Sequence, residues 1–469
     1  MTVKSLGALL AEMPLVVSVQ ASESSPMDDV EALLRLAKAS VFEGVRIIRL
    51  EGADRIPKIH KRTGAVVIGL VKRRYEDSEV YITPTLHEVQ ELIDSGCEVI
   101  ALDATQRARP HGEQLASLVS LIHEKGLLAM ADCDCVESAH HAIECGVDLL
   151  GTTLAGYTDQ RLATPGPDLN LIRELVKLGK PVLGEGRFSE RWEVEAALQI
   201  GAVGVVVGGR INDPVKSTRA LIPSAAPTSE IVAFDLGGTW LRCARFNQDL
   251  GPTEVERIEM PSSRADRLAW MRKRAEGAAA IGISSGGTID PRSGEVWESK
   301  PSIPDYQGTR FTFDAPTVAL NDGLATAWGH ACLPQFAGKR VATLALGTGV
   351  GAGFVAEGKL MMGPYGQYPR LNDLPLLDGR TVEQALGGLS LTSDPTSVGR
   401  DVAREAFRRS VELIQTMWFP DVLVVCGSVG LSDILVDECE RLEVVPSPFG
   451  VDAGLMGAAA LVRYPGWQH

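Results

Sequence analysis

No stretch of this sequence approaches the roughly 20 consecutive apolar residues of a membrane-spanning helix. The opening Met1-Thr-Val-Lys-Ser5 lacks the charged and apolar regions of a secretory signal. Positive charge is scarce: 46 Lys and Arg against 60 Asp and Glu leave a formal net charge of −14. Nucleic-acid and anionic-membrane surfaces need a basic face, so both partner classes are excluded. The eight cysteines are scattered, mostly inside apolar runs such as Val424-Val-Cys426-Gly427. They read as reduced, buried thiols of a cytoplasmic protein, not as a disulfide framework. The closest pair, Cys133-Asp-Cys135, has nothing nearby to complete a four-ligand metal site.

What is present is too long for one core: 469 residues predict two or three domains. The composition breaks at Ile222-Pro-Ser-Ala-Ala-Pro-Thr-Ser229, which carries two prolines and no charge. Proline fixes φ and removes a backbone donor, so this stretch reads as a connector. It sets the expected boundaries at 1–222, a linker at 223–229, and 230–469.

Before the break, short β-branched apolar runs recur at Leu15–Gln20, Val45–Leu50, Ala65–Val71, Val99–Asp103, Leu127–Asp132, Leu149–Thr153, Pro181–Gly186 and Val203–Gly208. Helical periodicity fills the gaps, as in 28–39, 86–95 and 189–200. Fully apolar strands alternating with amphipathic helices imply a parallel sheet covered by helices. Eight evenly spaced units predict a closed (β/α)8 TIM barrel rather than an open, doubly wound sheet. Chemistry then belongs at the strands' C-terminal ends, which carry Gln20, Arg49, Glu51, Lys72, Asp103, Asp132, Glu185-Gly186-Arg187 and Gly208-Gly209-Arg210. Glycines after the last two strands suit a phosphate held by backbone amides. Solvation alone would explain any single charged strand end, but not this collection. Lys72 leaves an apolar strand at the mouth, where desolvation disfavours ammonium and moves lysine toward useful base strength. The plainer alternative for Lys72 is an ion pair with Glu76 or Asp77. Glu185 and Asp132 are the carboxylates placed to orient it or to move protons.

Ile68-Gly-Leu-Val-Lys-Arg-Arg-Tyr-Glu-Asp-Ser78, Leu127-Leu-Ala-Met-Ala-Asp-Cys133, Gly151-Thr-Thr-Leu-Ala-Gly-Tyr-Thr158 and Gly184-Glu-Gly-Arg187 together resemble the bacterial N-acetylmannosamine-6-phosphate 2-epimerases, across residues 1–222. The resemblance implies inversion at C2 of the sugar phosphate, with Lys72 and Glu185 catalytic. Gln20, Arg49, Asp132 and Arg187 match positions around the substrate. It implies neither a redox cofactor nor a metal.

After the break, Ile231-Val-Ala-Phe-Asp-Leu-Gly-Gly-Thr239 is a strand running into a glycine turn. Gly237 and Gly238 let the backbone approach a phosphate, Asp235 suits a magnesium-bound water, and Thr239 can bond an oxygen. A second glycine loop, Gly347-Thr348-Gly349-Val-Gly351-Ala-Gly353, follows the run Leu344–Leu346, and a third strand meets Gly427-Ser428. No Gly-Lys-Ser/Thr follows any of them, which excludes a Walker loop. Three such loops predict a two-lobed, actin-like kinase fold with nucleotide between the lobes. Asn321-Asp322 ends a strand and opens a helix, where Asp322 can accept a hydroxyl proton while Mg²⁺ and amides hold phosphates. The simpler role for that aspartate is a helix N-cap.

These motifs resemble the ROK family (repressor, open reading frame, kinase), and its N-acetylmannosamine kinases in particular, over about residues 230–465. The resemblance implies transfer from ATP to the sugar 6-hydroxyl with Asp322 as base, ATP phosphate at Gly347–Gly353 and adenosine near Gly427-Ser428. Ser284–Thr288, Pro301–Pro304, Asn321 and Glu383 fall where the family meets the sugar. One departure is plain. Family members carry Gly-Glu-x-Gly-His and then a cysteine-rich zinc site, whereas 363–383 here holds neither cysteine nor histidine. A structural zinc needs about four such ligands, so none is expected. Both families imply a homodimer. The alternatives for the second half are another sugar, such as glucose or N-acetylglucosamine, or a non-catalytic sugar-sensing module.

Overall fold

The computed structural model describes all residues except 23–24, 165, 223–229, 248–250, 300–302, 377, 394–395 and 469, and omits the side chains of 389, 390, 393, 397 and 468. The expected linker 223–229 and the 301–302 part of the expected sugar segment therefore lie outside the described residues. The chain divides into two compact units, Met1–Ile222 and Pro223–His469.

In the first unit, β1 (Leu15–Val19), β2 (Ile47–Glu51), β3 (Val66–Leu70), β4 (Val99–Asp103), β5 (Leu128–Asp132), β6 (Leu149–Gly151), β7 (Val182–Glu185) and β8 (Gly204–Val207) form a closed barrel. All neighbours are parallel, and β1 closes on β8. This is the expected (β/α)8 architecture. Period-2 alternation sorts each strand into two cores. Val17, Ile48, Val67, Ile100, Ala131 and Val205 face the surrounding helices. Val16, Ile47, Ile68, Val99, Met130, Leu149, Leu183 and Val206 fill the barrel. The helix Val3–Glu12, which the eight-unit pattern does not include, adds Leu6 and Leu10 to that interior cluster. Local signals set helix ends: Thr85 and Glu88 form a capping box before Leu86–Ser95, and Gly96 closes it at φ 80°.

Several strands are shorter than their apolar runs. Strand β6 stops at Gly151 because Thr152 turns to bond the backbone of Glu185, its Oγ1 accepting from N and donating to O at 2.9 Å each. Val45-Arg46 lies before β2, while Glu51 extends it.

The second unit contains two five-stranded sheets. The first has the order β11 (Glu256–Glu259), β10 (Trp240–Phe246), β9 (Ile231–Leu236), β12 (Ala280–Ser285), β15 (Thr317–Asn321); the short pair β13 (Thr288–Ile289) and β14 (Val296–Glu298) follows β12. The second has the order β18 (Lys359–Leu360), β17 (Val350–Ala356), β16 (Val341–Leu346), β19 (Val422–Cys426), β20 (Val445–Pro446). Each sheet pairs its first three strands antiparallel and its last three parallel. The helices Asp322–Ala331 and Ala453–Arg463 pack against each other through glycine. A Cβ on Gly457 would lie 2.4 Å from the Ala325 carbonyl oxygen, so no side chain fits there. Among the described residues, no helix is long and apolar enough to cross a membrane.

His330 fastens the first of these helices to the segment after β20. Its Nδ1 bonds the Thr326 carbonyl at 2.7 Å, its Nε2 pairs with the Ser447 hydroxyl at 2.8 Å, and its ring meets Phe449 at 4.9 Å. Burial pulls its pKa down to about 4. An unfolded histidine takes its proton near 6.5, so the folded unit loses stability as pH falls from about 6.5 through 4. The loss is expected to reach about 3 kcal/mol. Six of the seven tryptophans (240, 270, 297, 328, 418 and 467) lie in this unit, so denaturant titrations followed by tryptophan fluorescence report it. Relative to wild type, His330→Gln should flatten the slope of stability against pH in that window; an unchanged slope would refute the assignment.

Candidate active sites

Arg49, Asp132 and Glu185 all fall on the inward alternation of their strands, one layer above Ile47, Met130 and Leu183. The Arg49 guanidinium is 1% exposed and Asp132 is fully buried. Arg49 Nη2 donates to Asp132 Oδ2 at 2.6 Å, and Nη1 donates to Glu185 Oε2. One cation thus neutralises two carboxylates in a dry site. Desolvation nonetheless raises the pKa of both carboxylates against the pull of Arg49, favouring a retained proton. Thr153 was not singled out as a site residue from the sequence. Its Oγ1 lies 2.6 Å from Asp132 Oδ1, 3.1 Å from Glu185 Oε2 and 3.2 Å from Arg49 Nη1. The inward series Leu149–Gly151–Thr153 would have signalled it.

Lys72 follows β3 in the same inward series. Its Nζ donates to Gln20 Oε1 at 2.8 Å, and Gln20 Nε2 to Ser18 at 2.8 Å. No ion pair joins Lys72 to Glu76 or Asp77 among the described residues. The side chain reaches solvent, yet its ammonium sits low enough in the mouth for desolvation, then the Arg49 cation, to lower its pKa.

Arg187 stands at φ 58°, and its fork bonds the loop after β6. Nε donates to Gly166 O at 3.0 Å, Nη1 to Ala155 O at 2.9 Å and Nη2 to Thr164 Oγ1 at 3.2 Å. Its ring neighbour is Tyr157 at 5.5 Å. Gly186 precedes it at φ 109°, a conformation that only glycine adopts readily. Gly208 and Gly209 lie after β8, partly and fully exposed, where the short helix Gly209–Asn212 begins.

In the second unit, the Asp235 carboxylate is 5% exposed. Its Oδ2 takes Arg242, and its Oδ1 takes the Ser284 hydroxyl at 3.1 Å. Arg242 also reaches Val451 O at 2.7 Å and Asp452 at 3.3 Å, tying β10 to the start of the helix Ala453–Arg463. Gly237 and Gly238 form the β9–β10 turn, and Gly347 and Gly349 the β16–β17 turn. Thr239 and Thr348 bring the two turns together at 3.1 Å. Gly351 faces Asp322, since a Cβ there would lie 3.5 Å from Oδ1. Gly388 N donates to Gly347 O at 2.8 Å, a brace that sequence reasoning missed although Gly387-Gly388 advertised it. Gly427 stands at φ 85° against Leu346, with Ser428 exposed beside it.

Asn321 and Asp322 divide the two roles weighed for the aspartate. Asn321 is the N-cap, its Oδ1 accepting from Gly323 N at 2.9 Å and Leu324 N at 3.4 Å, and its Nδ2 bonding Gly287 O at 3.0 Å. It is fully buried. Asp322 is half-buried, and its Oδ1 also accepts from Gly323 N at 2.9 Å. Tyr368 stands near it: burial first, and the Asp322 carboxylate second, push the phenol pKa up. Ser285 and Tyr306 bond each other in the buried floor.

The segment 363–387 is held without cysteine or histidine. Arg370 pairs with Glu298 at 3.0 Å and Asp373 at 2.5 Å, and Asn372 Nδ2 donates to Glu383 at 3.0 Å. Tyr365 stacks on Trp297 at 5.1 Å, while Val382, Ala385 and Leu386 enter the core. Glu383 is thus bound to a neighbouring loop. This donor set does not fit a structural zinc. Elsewhere, His87, Glu88 and Glu91 cluster, but Arg73 pairs with both glutamates.

A barrel with a buried acid–base cluster at its C-terminal mouth, joined to an actin-like unit with paired glycine turns, defines a two-enzyme fusion. A model described as putative N-acetylmannosamine-6-phosphate epimerase matches residues 33–224, and the ROK family model matches 231–372. The bifunctional enzyme NanE/NanK of Brucella melitensis is 31% identical over 504 residues, covering 95% of each chain. A putative N-acetylmannosamine-6-phosphate 2-epimerase of Clostridium perfringens is 45% identical over 44% of this chain and 93% of its own. A solved structure of the Clostridium perfringens epimerase aligns at 42% identity and TM-score 0.44, over 44% of this chain and 91% of that one. The chain belongs to the family of bifunctional NanE/NanK enzymes.

Arg49→Met would leave two buried carboxylates without their cation, a loss of about 3–5 kcal/mol. Hydrogen-exchange mass spectrometry should show protection falling in β2, β5 and β7 while the second unit keeps its own. Unchanged protection in those strands would show that the ion cluster adds nothing. Metal analysis of the purified chain should find no zinc, and EDTA should leave its melting temperature unchanged.

Proposed function

We propose that the second unit phosphorylates N-acetylmannosamine at O6 with ATP and Mg²⁺. The first unit then converts N-acetylmannosamine 6-phosphate to N-acetylglucosamine 6-phosphate. The observation that carries this reading is the end-to-end match to a bifunctional relative, joined to a lysine of lowered pKa beside the Arg49–Asp132–Glu185 cluster.

Carbon 2 of the sugar is acidic only when C1 is an aldehyde, so the ring opens first. Lys72, neutral more readily than an ordinary lysine, takes the C2 proton from one face. Glu185, which holds a proton more readily than an ordinary glutamate, supplies the acid function. Arg49 and Asp132 hold that carboxyl in place, and Gln20 orients Lys72. Backbone amides at Gly186, Gly208 and Gly209 take the phosphate, with Arg187 fixing the adjoining loop.

In the second unit Asp322 accepts the O6 proton, and Glu383 and Tyr368 line the sugar side. The turns 237–239 and 347–351 hold ATP phosphates, and Gly427 and Ser428 the adenosine end. Magnesium, when bound with ATP, neutralises phosphate charge. Both Asp235 oxygens are engaged, so this carboxylate suits a metal-bound water rather than the ion itself. We propose a cytoplasmic homodimer, on the resemblance to both families.

Incubation with N-acetylmannosamine, ATP and Mg²⁺ should yield ADP and both 6-phosphates. Asp322→Asn should cut ADP formation roughly a hundredfold or more without touching epimerisation of supplied 6-phosphate. Lys72→Ala should do the reverse. Wild-type protein that forms no ADP would sink the kinase reading, and intact C2 deuterium exchange in Lys72→Ala would sink the choice of base.

A further inference from the structure

The Thr153 hydroxyl sits between two buried carboxylates and carries one hydrogen. Its shorter contact is to Asp132 Oδ1 at 2.6 Å; the other is to Glu185 Oε2 at 3.1 Å. With its hydrogen given to Asp132, Thr153 faces Glu185 with lone pairs only. That second contact then needs a hydrogen from Glu185. Arg49 donates to both carboxylates and lies 3.2 Å from Thr153 Oγ1, so it does not separate them; Glu185 is the member that opens toward the mouth, 13% exposed. We infer that Thr153 is a positioning residue that decides which carboxylate carries the shared proton: it keeps Asp132 ionised and leaves the proton on Glu185. This deepens the epimerase reading and rests on it.

The charged and titratable groups facing the pair come from several elements. They are Arg49 of β2, Lys72 after β3, the Tyr81 phenol and Asp103 of β4. None of them distinguishes Asp132 from Glu185 by a single shared hydrogen, as Thr153 does. When Glu185 gives its proton to the substrate, Thr153 can turn its hydroxyl to the new carboxylate while Arg49 retains Asp132. When substrate returns a proton to Glu185, the hydroxyl turns back. No proton leaves Thr153 in either step, and a reorienting hydroxyl of this kind lowers the cost of switching Glu185 between its acid and base forms.

The test uses the full chain. Thr153→Val fills the same volume without a hydroxyl, and Thr153→Ser keeps the hydroxyl. Epimerisation by Thr153→Val should show kcat reduced roughly tenfold or more with KM within about twofold. The alkaline limb of its kcat profile should move to higher pH, because Asp132 without the hydroxyl becomes a stronger competitor and the pair as a whole holds its proton longer, while less of that proton sits on Glu185. Thr153→Ser should restore both. A Val variant whose limb stays in place, or a Ser variant no better than Val, overturns the proposal.

Infrared spectroscopy provides a second readout that needs no substrate. In wild type a buried carboxylic-acid carbonyl band should shift on labelling glutamate with ¹³C at the side-chain carboxyl, and disappear in Glu185→Gln. A band that shifts instead with labelled aspartate places the proton on Asp132 and overturns the proposal. Wild-type protein inert toward N-acetylmannosamine 6-phosphate would defeat the reaction reading and leave the infrared result standing by itself.

Discussion

Burying a guanidinium is the constraint on which the barrel site depends. Arg49 lies at full depth because the alternation of β2 gives it no other direction. An unpaired charge there would cost several kcal/mol, so strands across the barrel must supply anions. Asp132 and Glu185 do so from β5 and β7. The consequences spread outward. Desolvation lets the two carboxylates hold protons more readily than in water, against the pull of the cation, and desolvation first, then that cation, lowers the pKa of Lys72. The shifts of all three groups therefore follow first from burial, with one buried charge opposing it at the carboxylates and adding to it at the lysine.

The second unit solves a different problem, that of exposing a carboxylate at a helix start without losing it to the helix. An aspartate in the first turn of a helix is a natural cap, and a capping carboxylate is spent. Asn321 takes the cap with its carbonyl and anchors itself on Gly287 with its amide nitrogen. Asp322 is thereby held half-buried on a rigid element, its Oδ1 sharing the Gly323 N–H with the cap at 2.9 Å. Asp235 and Arg242 do comparable work on the other side, binding the end of β9 to the start of the helix Ala453–Arg463.

The strands were legible because parallel strands buried on both faces leave unmistakable β-branched runs, and Lys72, Glu185 and Asp322 were legible because each ends such a run. Less visible was what depends on partners distant in sequence. Thr153 acquires meaning only through Arg49, 104 positions earlier, and Asp132. Arg242 looked like an ordinary strand residue until Asp235 and Asp452 enclosed it. Arg187 carries no signal that its donors go to carbonyls of the 155–166 loop. The helix Val3–Glu12 fell outside the repeating pattern because it plugs the barrel rather than covering a strand. Composition alone ruled out a cysteine and histidine cage in 363–383, yet could not show the Arg370–Glu298 and Asn372–Glu383 links that hold the segment instead.

The two sheets of the second unit share one strand order and one pattern of directions, so the β9–β10 turn and the β16–β17 turn are equivalent positions in a duplicated plan. Thr239 and Thr348 occupy those turns and touch at 3.1 Å. The contact joins the third residue of one turn to the second of the other, so the repeated plan meets itself one step out of register within one chain. One side kept Asp235 and its arginine; the other kept glycine at every position that must come close.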